Sequence, residues 1–185
     1  MLAKPERKDA VRSRSTLLVA ARRVFSEHGA LAPLELVIEA AGVGRGTLYR
    51  HFPDRISLIV ALFGAEIDTL SVVMASAEPE QRIEVLLGHI ARTSGDAHLL
   101  VETWRSVPAA HPEMRQCRDR FLALLDAPLK AAIEAGVMRP DLTAGDLLLA
   151  AAMISAAARL AGTDLNLRLV AYDILLQGLA PKVTA

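Results

Sequence analysis

Apolar residues recur along this chain at the three-and-four spacing of helices, and β-branched residues never alternate over a strand-length run. That periodicity predicts an all-α fold. Leu17, Ala21, Val24, Phe25 and His28 form an i, i+4, i+7, i+8, i+11 stripe, so a first helix is expected from about residue 10 to residue 28, ended by Gly29. Pro33 fits the first turn of a second helix, where its missing N–H costs nothing. Val37, Ile38, Ala41 and Val43 supply the buried side of that helix and of a corner after it, and Gly42 suits an exit with φ > 0. Gly44 then stands at an N-cap, and Arg45 to His51 form a third helix whose Leu48 and Phe52, four apart, face inward against Phe25. Two short helices meeting at a tight corner have the shape of a helix-turn-helix.

Beyond the corner the pattern predicts a helical bundle. Asp54 can cap a fourth helix through its carboxylate, and Ile59, Leu62, Phe63, Ile67, Leu70 and Met74 give that helix an apolar face. At roughly twenty residues it is about 30 Å long, enough to link a small head to a distant body. Glu78-Pro79 breaks the chain, and Ile83, Leu86, Leu87 and Ile90 predict a short amphipathic helix ending near Gly95. A segment with Leu100, Trp104 and Val107 ends at Pro108. His111-Pro112 then opens a longer helix to Gly136, with a kink or break expected about one turn before Pro128. Thr143 and Asp146 make a capping-box-like start for an Ala-rich helix to about Ala161, and Asp164 can cap the last helix. In that helix Leu165, Leu169, Tyr172, Leu176 and Leu179 repeat at 4, 3, 4, 3 spacing, a helix-pairing seam.

Composition supports helices, with aromatics at only 4%. The net charge is zero, but it is unevenly spread: residues 1–55 hold ten Lys/Arg and six Asp/Glu, whereas residues 56–185 hold eleven and fifteen. A basic front and an acidic back fit a DNA-binding head on a regulatory body. Lys4, Arg7, Lys8, Arg12 and Arg14 would then form a basic arm, its first several residues mobile until they meet phosphate or an acidic groove. The single cysteine, Cys117, rules out an intramolecular disulfide, and with no signal peptide at the start a cytoplasmic location is expected. No membrane partner is expected, because the apolar run Leu147–Ala158 is shorter than the roughly 20 residues of a span.

The outer face of the third helix keeps Arg45, Thr47, Tyr49, Arg50 and His51, donors and stackers suited to phosphates and base edges. The stretch Ala41-Gly-Val-Gly-Arg-Gly-Thr-Leu-Tyr-Arg-His-Phe52 resembles the signature of the TetR family of ligand-controlled bacterial transcription regulators. The likeness extends upstream through Leu17–Gly29 and downstream through Asp54–Leu58, about a quarter of the chain, and residues 134–147 resemble one C-terminal subgroup. Three positions depart from the family pattern: Gly44 replaces a usual Ser, Arg55 a usual Lys, and Ala32-Pro33 a common Thr pair.

The resemblance implies a helix-turn-helix head over residues 1–55 and a ligand-binding and dimerisation domain over 56–185. It places Arg45, Gly46, Thr47, Tyr49 and Arg50 in the DNA groove and His51 and Arg55 on phosphate. It further implies a homodimer on a palindromic double-stranded operator, its heads in successive major grooves roughly 34–36 Å apart. The expected activity is that of a repressor released by a small molecule. Phe63, Met74, Trp104, Met114, Phe121 and Met153 suit either a plain core or an apolar effector cavity, and the resemblance raises a cavity beside Trp104 to equal standing with the core.

No cofactor, metal or catalysis is expected. His89, His98 and His111 make no i, i+4 ligand pair, and no nucleophile–base pair stands out. Cys117 is expected to be an ordinary thiol, although Arg115, Arg118 and Arg120 would lower its pKa if they converged. The rival reading is a helical ligand-binding protein or enzyme with an incidental helix-turn-helix-like corner. An activator or adaptor on the same fold fits the residues equally well.

Overall fold

The computed structural model describes residues 5–93, 107–108, 110–161 and 164–181. Among these, eight α-helices and a single 3₁₀ turn build the fold, and no strand occurs. The expected all-α architecture is present.

Helix α1 (Pro5–His28) begins earlier than the apolar stripe predicts. Residues 5–9, ahead of the expected start near residue 10, are already helical. Glu6, Arg7, Lys8, Ala10, Arg12 and Arg14 are good helix formers, so propensity favours helix over this stretch. His28 at its other end is exposed, not part of the buried stripe.

Helix α2 (Leu34–Ala41) is preceded, not entered, by Pro33, which occupies the N-cap with extended backbone. Gly42 ends it in the left-handed region at φ 63°, donating its N–H to the Glu39 carbonyl, while the Val43 N–H reaches Ile38 O at 3.3 Å. The chain therefore turns within two residues of the helix end. Gly44 caps α3 (Arg45–His51), as the spacing predicts.

Helix α4 (Arg55–Ala75) starts at a reciprocal capping box. The Ser57 N–H donates to Asp54 Oδ1 at 2.7 Å, and the Asp54 N–H to Ser57 Oγ at 3.3 Å. A 3₁₀ turn (Pro79–Gln81) leads into α5 (Arg82–Arg92), and α6 (Pro112–Glu134), α7 (Ala144–Ala161) and α8 (Leu165–Leu179) follow. The expected box at α7 is formed as well, with Asp146 Oδ2 accepting from the Thr143 N–H at 2.8 Å and its hydroxyl at 2.6 Å. Asp164 Oδ1 accepts from the Asn166 and Leu167 N–H groups to start α8.

Pro128 does not break α6. The proline removes one main-chain hydrogen bond, but it is itself buried, and Leu125, Leu129 and Ala132 around it lie in the body core, so packing holds the helix through the gap.

Two buried clusters divide the molecule. The head cluster joins Leu17, Val24 and Phe25 of α1 to Leu34 and Val37 of α2, to Leu48 and Phe52, and to Leu58, Ile59 and Leu62 of α4. Val107 and Met114 of the body also reach it. The body cluster gathers Phe63 to Met74 of α4 with the apolar faces of α5 to α8. Helix α4 belongs to both. It is long and apolar enough to cross a membrane, with mean hydropathy 1.9, yet it serves here as the common core helix and carries Glu66 and Asp68 in ion pairs.

The 4, 3, 4, 3 seam of α8 proves to be largely internal. Tyr172 and Leu179 are buried in the body cluster and Leu176 packs against it, whereas Leu167, Val170 and Ile174 are exposed. At roughly 100° per residue those three lie on the opposite side of the helix. Both faces of α8 are apolar, and one period of the pattern could not tell which face is spent within the chain.

Candidate nucleic-acid interface and effector cavity

Leu48 is fully buried and Phe52 nearly so, and they clamp α3 onto the head core. Burying each is worth about 1.5–3 kcal/mol, which fixes the helix's rotation about its axis. That rotation turns Arg45, Gly46, Tyr49 and Arg50 to solvent and leaves Thr47 and His51 half-buried. A Cβ built on Gly46 meets nothing of the chain within 4 Å, so the bare backbone there serves no internal contact and leaves room for close approach from outside.

Five contacts organise three arginines around this face. Arg45 Nη2 donates to Glu35 Oε1 of α2 at 3.1 Å, and its guanidinium carbon lies 5.9 Å from the Tyr49 ring centroid. Arg14 of α1 stacks over Phe52 at 5.3 Å, bringing a cation from the supposed arm to the end of α3. Arg55 donates Nη1 to the Ala30 carbonyl at 2.9 Å and covers Phe25 at 5.8 Å, so part of its donor set ties the loop after α1 to the start of α4. Its remaining N–H groups are what a phosphate would meet. His51 Nε2 is buried and finds no hydrogen-bond partner among the described residues.

The second candidate site is a cavity of about 270 Å³ in the body. Phe63, Ile67 and Leu70 of α4, Ile90 of α5, Phe121 of α6 and Leu148, Ala151 and Ala152 of α7 wall it, with Gly145 and Leu149 also in its lining. Ser155, the polar side chain among the described lining residues, turns its hydroxyl back to Ala151 O at 2.9 Å. Two of the sequence-predicted ligand residues, Phe63 and Phe121, thus meet at one cavity. Met74 is buried in the same core but is not in the lining, and Trp104 lies outside the described residues.

Sequence reasoning missed the connection between the two sites. Glu66 is 5% exposed, between Phe63 and Ile67 of the cavity wall, and its Oε2 meets Arg22 Nη2 of α1 at 2.5 Å. A charge at a position where the stripe of α4 calls for an apolar residue was the available signal. A second ion pair joins Asp68 of α4 to Arg120 of α6.

Cys117 Sγ lies 3.9 Å from Val60 O, and burial pushes its thiol above the ordinary value. Arg120 opposes that shift and Glu113 adds to it, so the arginines around it do not make a reactive thiolate. Among the described residues no three His, Cys, Asp or Glu side chains converge as a metal ion would require, and His98 lies outside them.

A helix-turn-helix with a cation-rich, solvent-facing second helix is mounted on a helix that also walls a cavity in the body, the architecture of a helix-turn-helix head on a helical body with room for a small ligand. Residues 17–62 match the family of bacterial regulatory proteins of the tetR type, and residues 78–181 match the C-terminal domain of SbtR-like transcriptional regulators. The chain belongs to the TetR family.

Its structure is similar to that of the TetR transcriptional regulator SCO0520 from Streptomyces coelicolor, at 31% identity and TM-score 0.65, over 92% of this chain and 99% of that one. A TetR regulatory protein from Mycobacterium vanbaalenii matches at 25% identity and TM-score 0.64, over 96% and 100%. The transcriptional repressor KstR of Mycolicibacterium smegmatis is 29% identical over 101 residues, 51% of this chain and 50% of that protein. The chain thus spans about half the length of that curated relative.

Proposed function

We propose that this protein is a cytoplasmic, ligand-responsive transcriptional repressor that binds a palindromic operator as a homodimer and leaves it when a small molecule fills the body. The observation that carries the reading is the continuity of α4, which is core to the head at Leu58, Ile59 and Leu62 and cavity wall at Phe63, Ile67 and Leu70. Residues 1–55 supply the DNA contacts: Arg45, Gly46, Thr47, Tyr49 and Arg50 in the groove, and His51 and Arg55 on phosphate. Residues 56–185 supply the effector site and the dimer.

Support for the dimer comes from the outer face of α7 and α8. Leu149, Met153 and Ile174 are exposed along a groove between the two helices, and Val170 is exposed one turn before Ile174, an area too apolar to face water in an isolated regulator. Two such faces related by a two-fold axis would set the heads at a fixed separation. An effector that binds one separation better than the other shifts the population by that difference in affinity, and α4 with its Arg22–Glu66 tie is the path to the heads.

Footprinting the purified protein on DNA flanking its own coding region is the direct test. The expected outcome is a protected inverted repeat with half-sites about one helical turn apart, lost progressively as salt rises. A protein that protects no sequence over competitor DNA at low salt is not a regulator of this kind.

A further inference from the structure

We propose that Glu35 is a positioning residue for DNA reading: it holds Arg45 by one edge so that the rest of the guanidinium donates to a guanine in the major groove. This rests on the reading of α3 as the recognition helix. Arg45 is the first residue of α3, and Glu35 sits in the first turn of α2, ten positions earlier in sequence. The corner at Gly42 brings them together, Nη2 to Oε1 at 3.1 Å. Tyr49, one turn further along α3, lies beneath the guanidinium at 5.9 Å. Arg45 is therefore restrained from two sides, by a carboxylate on the neighbouring helix and by a ring on its own.

The restraint leaves donors to spare. A guanidinium carries five N–H groups in a rigid fork, and one Nη donor goes to Glu35. Two parallel hydrogen bonds to guanine O6 and N7 remain available, and that pairing is the commonest specific contact an arginine makes in the major groove. Adenine offers an N6 donor where guanine has O6, so a held fork rejects it, whereas a free arginine can swing to a phosphate.

Glu35 also stands where a carboxylate is otherwise unhelpful. The DNA-facing side of a recognition head lies close to phosphates, so an acid there weakens overall attraction. Its charge does suit the N-terminal turn of α2. That role alone predicts a change in thermal stability and none in base choice.

The test is selection of binding sites from random duplexes by the full-length wild type, Glu35→Gln and Arg45→Ala, followed by affinity measurements on the selected site and on its guanine-to-adenine version. Wild type should enrich a guanine at one position of each half-site. Arg45→Ala should lower discrimination at that position by about 5- to 150-fold, the worth of a bidentate arginine–guanine pair. Glu35→Gln should lower it by about two- to fivefold, the worth of an exposed ion pair, while binding non-specific DNA more tightly than wild type.

If Arg45→Ala relaxes that position and Glu35→Gln does not, the positioning role is wrong and the recognition helix stands. If Arg45→Ala keeps the guanine, Arg45 does not read it and the proposal falls with it. If wild type enriches no sequence at all, the DNA-reading function itself is refuted. A lower melting temperature for Glu35→Gln with unchanged discrimination would reduce Glu35 to a helix-end charge.

Discussion

The head and the body use the same residue types to opposite ends. In the head the apolar side chains that join the helices go inward: Leu17, Phe25, Val37, Leu48 and Phe52 are buried, Val11, Val19 and Leu31 stay exposed on α1 and the loop after it, and the opposite side of α3 is left to cations and a tyrosine. In the body the apolar residues exceed what one core can hold. They fill the body cluster, wall a cavity and still leave Leu149, Met153, Leu167, Val170 and Ile174 exposed. In the head the exposed apolar residues are scattered, whereas in the body they gather on α7 and α8, the face on which the proposed dimer rests.

The sharpest break in that comparison comes from deleting core volume. Leu48→Ala removes a side chain with no solvent exposure, and should cost about 2–5 kcal/mol in denaturant unfolding and abolish operator binding at the same time. Leu149→Ala removes the same atoms from a residue that is 60% exposed, and should change the unfolding free energy of one chain by well under that amount. Equal losses at the two positions would mean that Leu149 is buried in the working protein.

Next in size is the dimer. Ile174→Asp places a charge on the outer face of α8, where the residue is 66% exposed in one chain. Sedimentation should shift from dimer toward monomer with the helical circular dichroism retained. Leu176→Asp, two residues on, puts the charge against the body core and should lose helicity as well. If Ile174→Asp leaves the dimer intact, the interface lies elsewhere.

That pair also shows where reading the sequence succeeds and where it stops. The helix-turn-helix was legible to the residue because its geometry is local: Gly42 must turn, Gly44 must cap, and Leu48 and Phe52 must share a face. Caps at Asp54, Thr143 and Asp164 were legible for the same reason, since each bonds to a residue two or three positions away. The seam of α8 was legible as a helix-pairing face but not its partner, because a helix apolar on both sides offers two stripes of equal quality, and only the packing of α5 and α7 against it decides which is internal. The early start of α1 and the unbroken α6 reflect the same limit, with propensity in one case and burial in the other overriding a local rule. Glu35 and Glu66 acquire their partners across helices, at separations no periodicity encodes.

A third, smaller effect separates the two regions mechanically. Glu66→Gln removes the carboxylate that Arg22 meets, on the side of α4 between the two cavity-wall residues. A buried pair broken at one partner costs several kcal/mol, but Arg22 is 29% exposed and can turn to water, so roughly 1–2 kcal/mol is expected. Amide hydrogen exchange should accelerate in the middle of α1 more than at Leu48 of α3. Uniform acceleration across the head would indicate general loss of stability, not a released tie.

The smallest expected effect lies at the start of α7, the helix that gives the body both its cavity wall and its outer face. Asp146 accepts from the Thr143 hydroxyl and N–H, and those hydrogen bonds hold its carboxyl below the ordinary value, against a slight opposing effect of burial. A carboxyl whose folded pKa is depressed contributes stability that is fully present above its unfolded pKa and is lost as pH falls through the folded one. The contribution should therefore be constant from neutral pH down to about pH 5 and fade below about pH 4, where an unfolded aspartate takes up its proton. Asp146→Asn removes the titrating charge while keeping an oxygen that can accept from Thr143. Melting temperatures of the two proteins should differ by a fixed interval near neutrality, with wild type higher, and converge toward pH 3. A gap that stays constant to pH 3 would mean that the cap acts through shape alone and that the charge on Asp146 contributes nothing to fixing the first turn of α7.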